Sequence, residues 1–237
     1  MPSLAQLSST YQRDGFVVVP DVLTREAVAA AARRMDELVD DAGALAKAEF
    51  ERPAAGGSRQ VRKLVDLAVD DQVFAPLARS DRILDVAAGL TGAQGIRLYG
   101  DQAFLKPAFT GSEKPLHQDN AYFRVNPSDA GVTCWIAIDD ATIDNGCVNY
   151  VPGSQLRGLV GHHEIAGTPH LVPEHDDGAA ARPCPVPAGS AIFHHLLVLH
   201  SSKGNCSPRP RRAWALHLVA DHATCPGRAM ADLPRLR

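Results

Sequence analysis

Residues 132–154 read VTCWIAIDDATIDNGCVNYVPGS. Two short runs of β-branched, aromatic and other apolar residues, Val132–Ile138 and Cys147–Val151, are separated by Asp144-Asn145-Gly146 and closed by Pro152-Gly153-Ser154. Asn-Gly and Pro-Gly pairs favour tight turns, because glycine accepts positive φ and proline presets its own. A run, a turn and a second run with no helical period between them predict two strands. Further runs of the same kind lie at Ile96–Lys106, Ser190–Phe193 and Arg211–Ala220. Several short strands punctuated by turns predict a β-sandwich or barrel from about residue 95 to 221.

Upstream the period changes, and residues 1–94 read mainly as helix. Thr24 can cap a helix in which Val28, Ala31, Met35 and Leu38 recur at three- and four-residue spacing. Ser80 can cap another, with Ile83, Val86, Ala87 and Leu90 on one face and Gly92 at its end. Phe16 to Val19, closed by Pro20, predicts a short strand, and the Pro- and Gly-rich stretch Arg52 to Ser58 a loop. The polar, His-containing stretch Gly161–Arg182 reads as a mobile loop over the active site. The 237 residues fit one domain.

Charge and composition narrow the function. The net charge is −3 with no basic block, which argues against nucleic acid as a partner, since phosphate binding needs clustered cations. No apolar stretch approaches the roughly 20 residues of a membrane helix, and no secretory signal is visible. The five cysteines are widely spaced and lack a CxxC pair, which favours a reducing, cytoplasmic setting over disulfides or zinc. A small-molecule substrate is the expectation; the oligomeric state is not written in the sequence.

Two imidazoles and a carboxylate on one face of an ion suit iron(II), leaving positions for a co-substrate and O₂. Residues i and i+2 of a strand point the same way, so a His-x-Asp pair can deliver two ligands together. Ten histidines and 27 acidic residues in 237 give about one His-x-Asp/Glu by chance. The chain has three, at His117–Asp119, His162–Glu164 and His175–Asp177. The last sits in a charged turn and the second opens the polar stretch. His117-Gln118-Asp119 lies between a strand end at Lys106-Pro107 and the aromatic pair Tyr122-Phe123. By itself this context still admits a hydrogen-bonded surface histidine.

A run of short motifs selects among them. Lys106-Pro107, Pro115-Leu116-His117-Gln118-Asp119, Trp135 to Asp140, Asp144-Asn145-Gly146-Cys147-Val148, Val151 to Ser154, Phe193, His200-Ser201-Ser202, Asn205, Ser207 and Arg211-Arg212-Ala213 follow in order. Together they closely resemble the phytanoyl-CoA dioxygenase (PhyH) family over residues 106–220. Two departures, Ser201 where the family has Gly and Gln155 where it has His, touch no ligand. The resemblance implies a double-stranded β-helix (a jelly roll, cupin-like), mainly β with flanking α-helices. It also implies Fe(II), 2-oxoglutarate as co-substrate and O₂. On the same resemblance His117, Asp119 and His200 match the metal ligands. Arg211, eleven residues past His200, matches the arginine that grips the distal carboxylate of 2-oxoglutarate.

The residue type at Arg211 suits that task, because a planar guanidinium binds a carboxylate bidentately. Strand alternation puts Arg211, Ala213, Ala215 and His217 on one face, with Arg212, Trp214, Leu216 and Leu218 on the other. Ser202 matches the family's assisting hydroxyl, and Gln118 and Trp135 are further candidates for contact with the co-substrate. Gln102, Phe104 and Lys106 share a strand face leading to the site, so Gln102 and Lys106 join the cofactor-binding candidates. Surface pairing for Arg211, turn capping for Ser202, core packing for Trp135 and snorkelling for Lys106 are the competing structural roles.

These features predict a dioxygenase that oxidises a C–H bond of a small polar metabolite, releasing succinate and CO₂, in the manner of secondary metabolism. Related halogenases carry a small residue at the carboxylate position, so Asp119 points to hydroxylation or to oxidative cyclisation or desaturation. The alternatives are an oxidative cyclase or epimerase acting on a sugar-like compound, and a catalytically inert jelly-roll binding module.

Overall fold

The computed structural model describes residues 2–41, 48–51, 60–175 and 178–237. Thirteen strands appear among these residues: β1 (Phe16–Val19), β2 (Glu49–Phe50), β3 (Val61–Val65), β4 (Ile96–Lys106), β5 (Lys114–His117), β6 (Gly131–Ala137), β7 (Val148–Tyr150), β8 (His162–Glu164), β9 (Leu171–Pro173), β10 (Arg182–Cys184), β11 (Ala191–His195), β12 (His200–Ser202) and β13 (Arg211–Ala220). They form a seven-stranded sheet in the order β1-β11-β6-β13-β4-β3-β2, a four-stranded sheet β10-β7-β12-β5, and a separate hairpin β8-β9. Every pairing is antiparallel. The larger sheet is assembled from strands distant in sequence, the crossing pattern of a double-stranded β-helix.

Two buried layers follow from strand alternation. Between the sheets, Trp135, Ala137, Val148, Tyr150, Ile192, Val198, Ala213 and Ala215 pack together. On the other side of the large sheet, Trp214, Leu216, Leu218, Ile136 and Phe193 meet the helices. Trp214 shows how the large sheet and the helices are joined: Phe74 stands edge-on to it at 4.9 Å, and Trp214 Nε1 donates to Asp101 Oδ1 at 3.0 Å. Such an aromatic pair contributes about 0.5–1.5 kcal/mol beyond its burial.

The helix expectations meet a mixed outcome. The helix Arg25–Asp40 is capped by Thr24, which accepts from Ala27 N, and buries Ala31, Met35 and Leu38. The helix Asp81–Thr91 ends on Gly92 in the left-handed region, yet the Ser80 side chain makes no capping bond. The first residues form a helix, Leu4–Asp14, closed by a capping box between Ser3 and Gln6. β2 and β3 extend the large sheet from within a stretch read as helical. The Gly161–Arg182 stretch is not a plain loop, since it holds the β8-β9 hairpin and the start of β10. The loop expected at Arg52 to Ser58 lies outside the described residues. All five cysteines are unpaired. Among the described residues no helix is long and apolar enough to cross a membrane.

Candidate metal centre

His117 closes β5 and His200 opens β12, and the two are direct partners across the small sheet. Their rings stand 4.2 Å apart. Asp119 is not on the strand. It adopts helical φ/ψ just ahead of the short helix Asn120–Phe123, so the chain turns to bring it back beside His117. Convergence therefore comes from this turn and not from strand alternation. One nitrogen of each imidazole and one carboxylate oxygen lie within 4.8 Å of one another, and all three residues are buried. Asp119 Oδ1 is 3.6 Å from both His117 Nε2 and His200 Nε2.

Protons can be assigned from the neighbours. His117 Nδ1 is 2.8 Å from Pro115 O and His200 Nδ1 is 3.0 Å from Val198 O. A carbonyl only accepts, so each Nδ1 carries the hydrogen, and in the neutral ring each Nε2 turns a bare lone pair inward. Burial keeps both rings neutral, pushing His117 down and His200 to about 4. Burial also pushes the Asp119 carboxyl up, yet the group lies well below the usual carboxylate range, with His194 among the groups that hold it down. Three lone-pair donors thus face one another with no hydrogen between them. A cation bound by nitrogen and oxygen satisfies such a set, and two imidazoles with one carboxylate fit iron(II).

The other oxygen of Asp119 is held from behind. Thr133 Oγ1 donates to Oδ2 at 2.7 Å, and His194 Nε2 lies 3.1 Å from the same atom. Tyr150 Oη is 2.9 Å from His194 Nδ1. Because the carboxylate accepts at Nε2, His194 must donate there and take the Tyr150 hydroxyl proton at Nδ1. On the far side Thr133 Oγ1 is 3.0 Å from His217 Nδ1. This bracing leaves Oδ1 alone to face the centre, the kind of outer support that orients metal ligands. Thr133, Tyr150, His194 and His217 carry no motif of their own. Alternation from Trp135 does place Thr133 on the same face of β6, and pairing brings it opposite His217.

The centre opens into a cavity of about 610 Å³. Arg211, Ser202, Trp135, Lys106 and Gln102 all border it, as do Phe104, Ala215 and His217. Arg211 is 2% exposed and lies 5.4 Å over the Trp135 ring. Its Nη2 donates to Gly146 O at 3.1 Å, while Nε and Nη1 have no partner among the described residues. Burial lowers its pKa to about 10. Two unanswered donors on a buried cation fit the carboxylate of a co-substrate such as 2-oxoglutarate.

Gln118 and Lys106 differ from expectation in their surroundings. Gln118 is fully buried and does not border the cavity. Its Nε2 donates to Leu197 O and Gly158 O, and its Oε1 accepts from Val160 N. Its amide is taken up by these three backbone groups, away from the cavity that the other co-substrate candidates border. Lys106 does not snorkel. It is 6% exposed, with its ammonium donating to Ser112 O and Lys203 O. Burial, with Arg211 on the paired strand, brings it down to about 7. His162 bonds within its own segment through Nδ1 to Val160 O and receives Gln118 N at 3.4 Å.

Comparison with known proteins agrees with this architecture. The family model described as phytanoyl-CoA dioxygenase (PhyH) matches residues 11–213. A "phytanoyl-CoA dioxygenase domain-containing protein 1 homolog" of Caenorhabditis briggsae is 24% identical over 268 residues, covering 93% of this chain and 92% of that protein. The L-proline trans-4-hydroxylase of Streptomyces griseoviridis is 30% identical, over 85% of this chain and 81% of its own length. The epimerase SnoN, solved with Fe3+, alpha ketoglutarate and nogalamycin RO, superposes with a TM-score of 0.75 at 24% identity, over 99% of this chain and 98% of that one. That last likeness is one of fold. By sequence and by architecture, then, the chain belongs to the phytanoyl-CoA dioxygenase (PhyH) family of Fe(II)- and 2-oxoglutarate-dependent oxygenases.

Proposed function

We propose that His117, Asp119 and His200 hold iron(II), that Arg211 with Ser202 receives the distal carboxylate of 2-oxoglutarate, and that the enzyme hydroxylates a C–H bond of a small polar metabolite in secondary metabolism. One observation carries the reading: a buried arginine with two unanswered N–H groups borders the same cavity as a three-membered cluster of bare lone pairs. An inert binding module would have no use for both.

When bound, the iron with 2-oxoglutarate and O₂ supplies oxidation of a C–H bond coupled to decarboxylation of the co-substrate to succinate and CO₂. The protein's own part is positioning. Pro115 O and Val198 O fix which nitrogen of each imidazole faces the centre. Thr133 and His194 fix which Asp119 oxygen does. Arg211, backed by the Trp135 face, sets one end of the co-substrate. The hairpin residue His170 and neighbouring Pro169 border the cavity and help exclude water. A cytoplasmic, soluble enzyme acting on a freely diffusing metabolite fits the composition.

Succinate release in the presence of Fe(II) and 2-oxoglutarate tests the proposal. Absence of turnover, together with absence of 2-oxoglutarate binding by calorimetry, overturns it. The fold shared with the epimerase SnoN favours one second reading, stereochemical inversion or ring closure on a sugar-like natural product. Product analysis separates the two, since hydroxylation adds one oxygen atom from O₂ and epimerisation adds none.

A further inference from the structure

Away from the metal cluster and Arg211, a second group of side chains borders the cavity, and its hydrogen bonds can be counted. Lys114 opens β5, Tyr122 lies in the short helix after Asp119, and His170 ends the turn between β8 and β9. Lys114 Nζ is 3.1 Å from His170 Nδ1 and 3.4 Å from Tyr122 Oη. Leu171 N donates to the same phenol oxygen at 2.7 Å.

Donor and acceptor roles follow. An ammonium only donates, so His170 Nδ1 accepts, and in the neutral ring the hydrogen sits on Nε2. The Tyr122 oxygen accepts from Leu171 and Lys114, which leaves its own O–H to give. Lys114 uses two of its three N–H groups. Among the described residues none of these three remaining hydrogens has an acceptor, and no carboxylate lies within ion-pair distance of Lys114. Of the other cations nearby, Arg62 and Lys63 both pair with Glu49, and Lys106, with two N–H groups on carbonyls, stands opposite Arg211 on the paired strand. Three residual donors, one positive charge and no residual acceptor together describe a berth for an oxyanion.

We propose that Lys114, Tyr122 and His170 form the substrate-recognition subsite and that the substrate carries a carboxylate which docks there. This rests on the dioxygenase reading above. A carboxylate suits the cluster better than a phosphate, because one ammonium with two neutral donors balances a single negative charge in a half-buried place. The subsite is close to the reacting centre. The Tyr122 ring meets the His117 ring edge-on at 5.9 Å, and Lys114 is three residues before His117. A carboxylate held there places the carbon skeleton of a small acid, such as an amino or hydroxy acid, next to the metal. His170 belongs to the hairpin, so the anion bridges the small sheet to the hairpin that borders the cavity.

The test screens a library of small carboxylic acids, each paired with its primary amide, for stimulated succinate release and for binding to the Fe(II)- and 2-oxoglutarate-loaded protein. The expected result is that the stimulating compounds are carboxylic acids and that their amides lose at least about 10-fold in kcat/KM. Lys114→Met should raise KM for the best acid at least about 10-fold and shrink the acid-to-amide preference. Tyr122→Phe, which keeps the ring and removes only the hydroxyl, should do the same more weakly. Calorimetry should find the 2-oxoglutarate Kd of both variants within about twofold of wild type. Stimulation confined to neutral or cationic compounds overturns the proposal, as does a library in which no acid binds or stimulates. An equal loss of 2-oxoglutarate affinity in Lys114→Met also overturns it, by assigning the lysine to the co-substrate. Failure of the underlying dioxygenase reading looks different: no 2-oxoglutarate binding and no succinate from the wild-type protein under any condition.

Discussion

Replacing Arg211 with methionine keeps much of the side chain's length and removes its charge. In the ligand-free protein that arginine is 2% exposed and, among the described residues, makes one hydrogen bond, from Nη2 to Gly146 O, while Nε and Nη1 have no partner there. A buried donor left unanswered costs about 1–3 kcal/mol, and the Gly146 carbonyl loses a comparable interaction when the arginine goes. The ligand-free variant should therefore be as stable as wild type or more stable by up to about 2 kcal/mol. Lys106 gains as well, since Arg211 is one of the charges that lower its pKa. The effect on the co-substrate runs the other way. Two charge-assisted bonds to a carboxylate, at about 1.5–3 kcal/mol each, amount to about 3–6 kcal/mol, or about 10²- to 10⁴-fold in Kd. Calorimetric titration of 2-oxoglutarate into the anaerobic Fe(II)-loaded variant measures this, and urea unfolding of the metal-free protein measures the stability. A Kd within tenfold of wild type would refute the assigned role. So would a loss of more than about 3 kcal/mol in the ligand-free protein, which would make Arg211 a structural residue.

The remaining predictions concern the metal cluster and its surroundings. Asp119→Ala should abolish iron-dependent turnover and lower bound iron per chain measured by elemental analysis; unchanged activity would move the metal elsewhere. Thr133→Val preserves shape but removes the hydroxyl that donates to Asp119 Oδ2. It should weaken iron binding about 10- to 100-fold in a chelator competition while leaving the 2-oxoglutarate Kd of the iron-saturated protein nearly unchanged. The metal-free protein should lose stability as pH falls from about 6.5 toward 4. Burial lowers His217 and His195 to about 4, below the ordinary 6.5 of an unfolded histidine, so the unfolded chain takes up protons first. For fully buried His217 the loss is about 2 kcal/mol by pH 5, and urea midpoints that do not move between pH 7.5 and 5 would contradict it.

How much of this was legible depended on where local chemistry and tertiary pairing agree. β4 and β13 were readable end to end, because apolar and β-branched residues dominate them and Gly95, Pro107 and Pro210 bound them. β3 was not, because Arg62 and Lys63 occupy its middle and pairing with β2 and β4 holds it extended. The β8-β9 hairpin escaped for the same reason: His162, His163 and Glu164 show no apolar alternation. The helix Leu4–Asp14 announced itself through Ser3 and Gln6, a signal that composition of the N-terminus obscured. At the site, ligand identities follow from motif order, whereas the turn that brings Asp119 round, the tether on its second oxygen and the fate of Gln118 depend on contacts tens of residues away. Lys114 and Tyr122 belong to that second group, since nothing in their neighbours announces a shared hydrogen-bond count.

Gln118 has a consequence for anyone wishing to alter what this enzyme accepts. Wedged between two ligand positions, its amide grips Leu197 O on one side and residues 158 and 160 on the other. It works as an indexing pin, setting the angle at which the segment leading into β8 leaves the metal platform. Diversifying residue 118 would tilt that segment and the ligands together, so changes in selectivity would come mixed with losses in iron loading. Diversifying the hairpin tip at residues 165–169 while keeping the pin and His170 leaves the platform in place and varies only what closes over it.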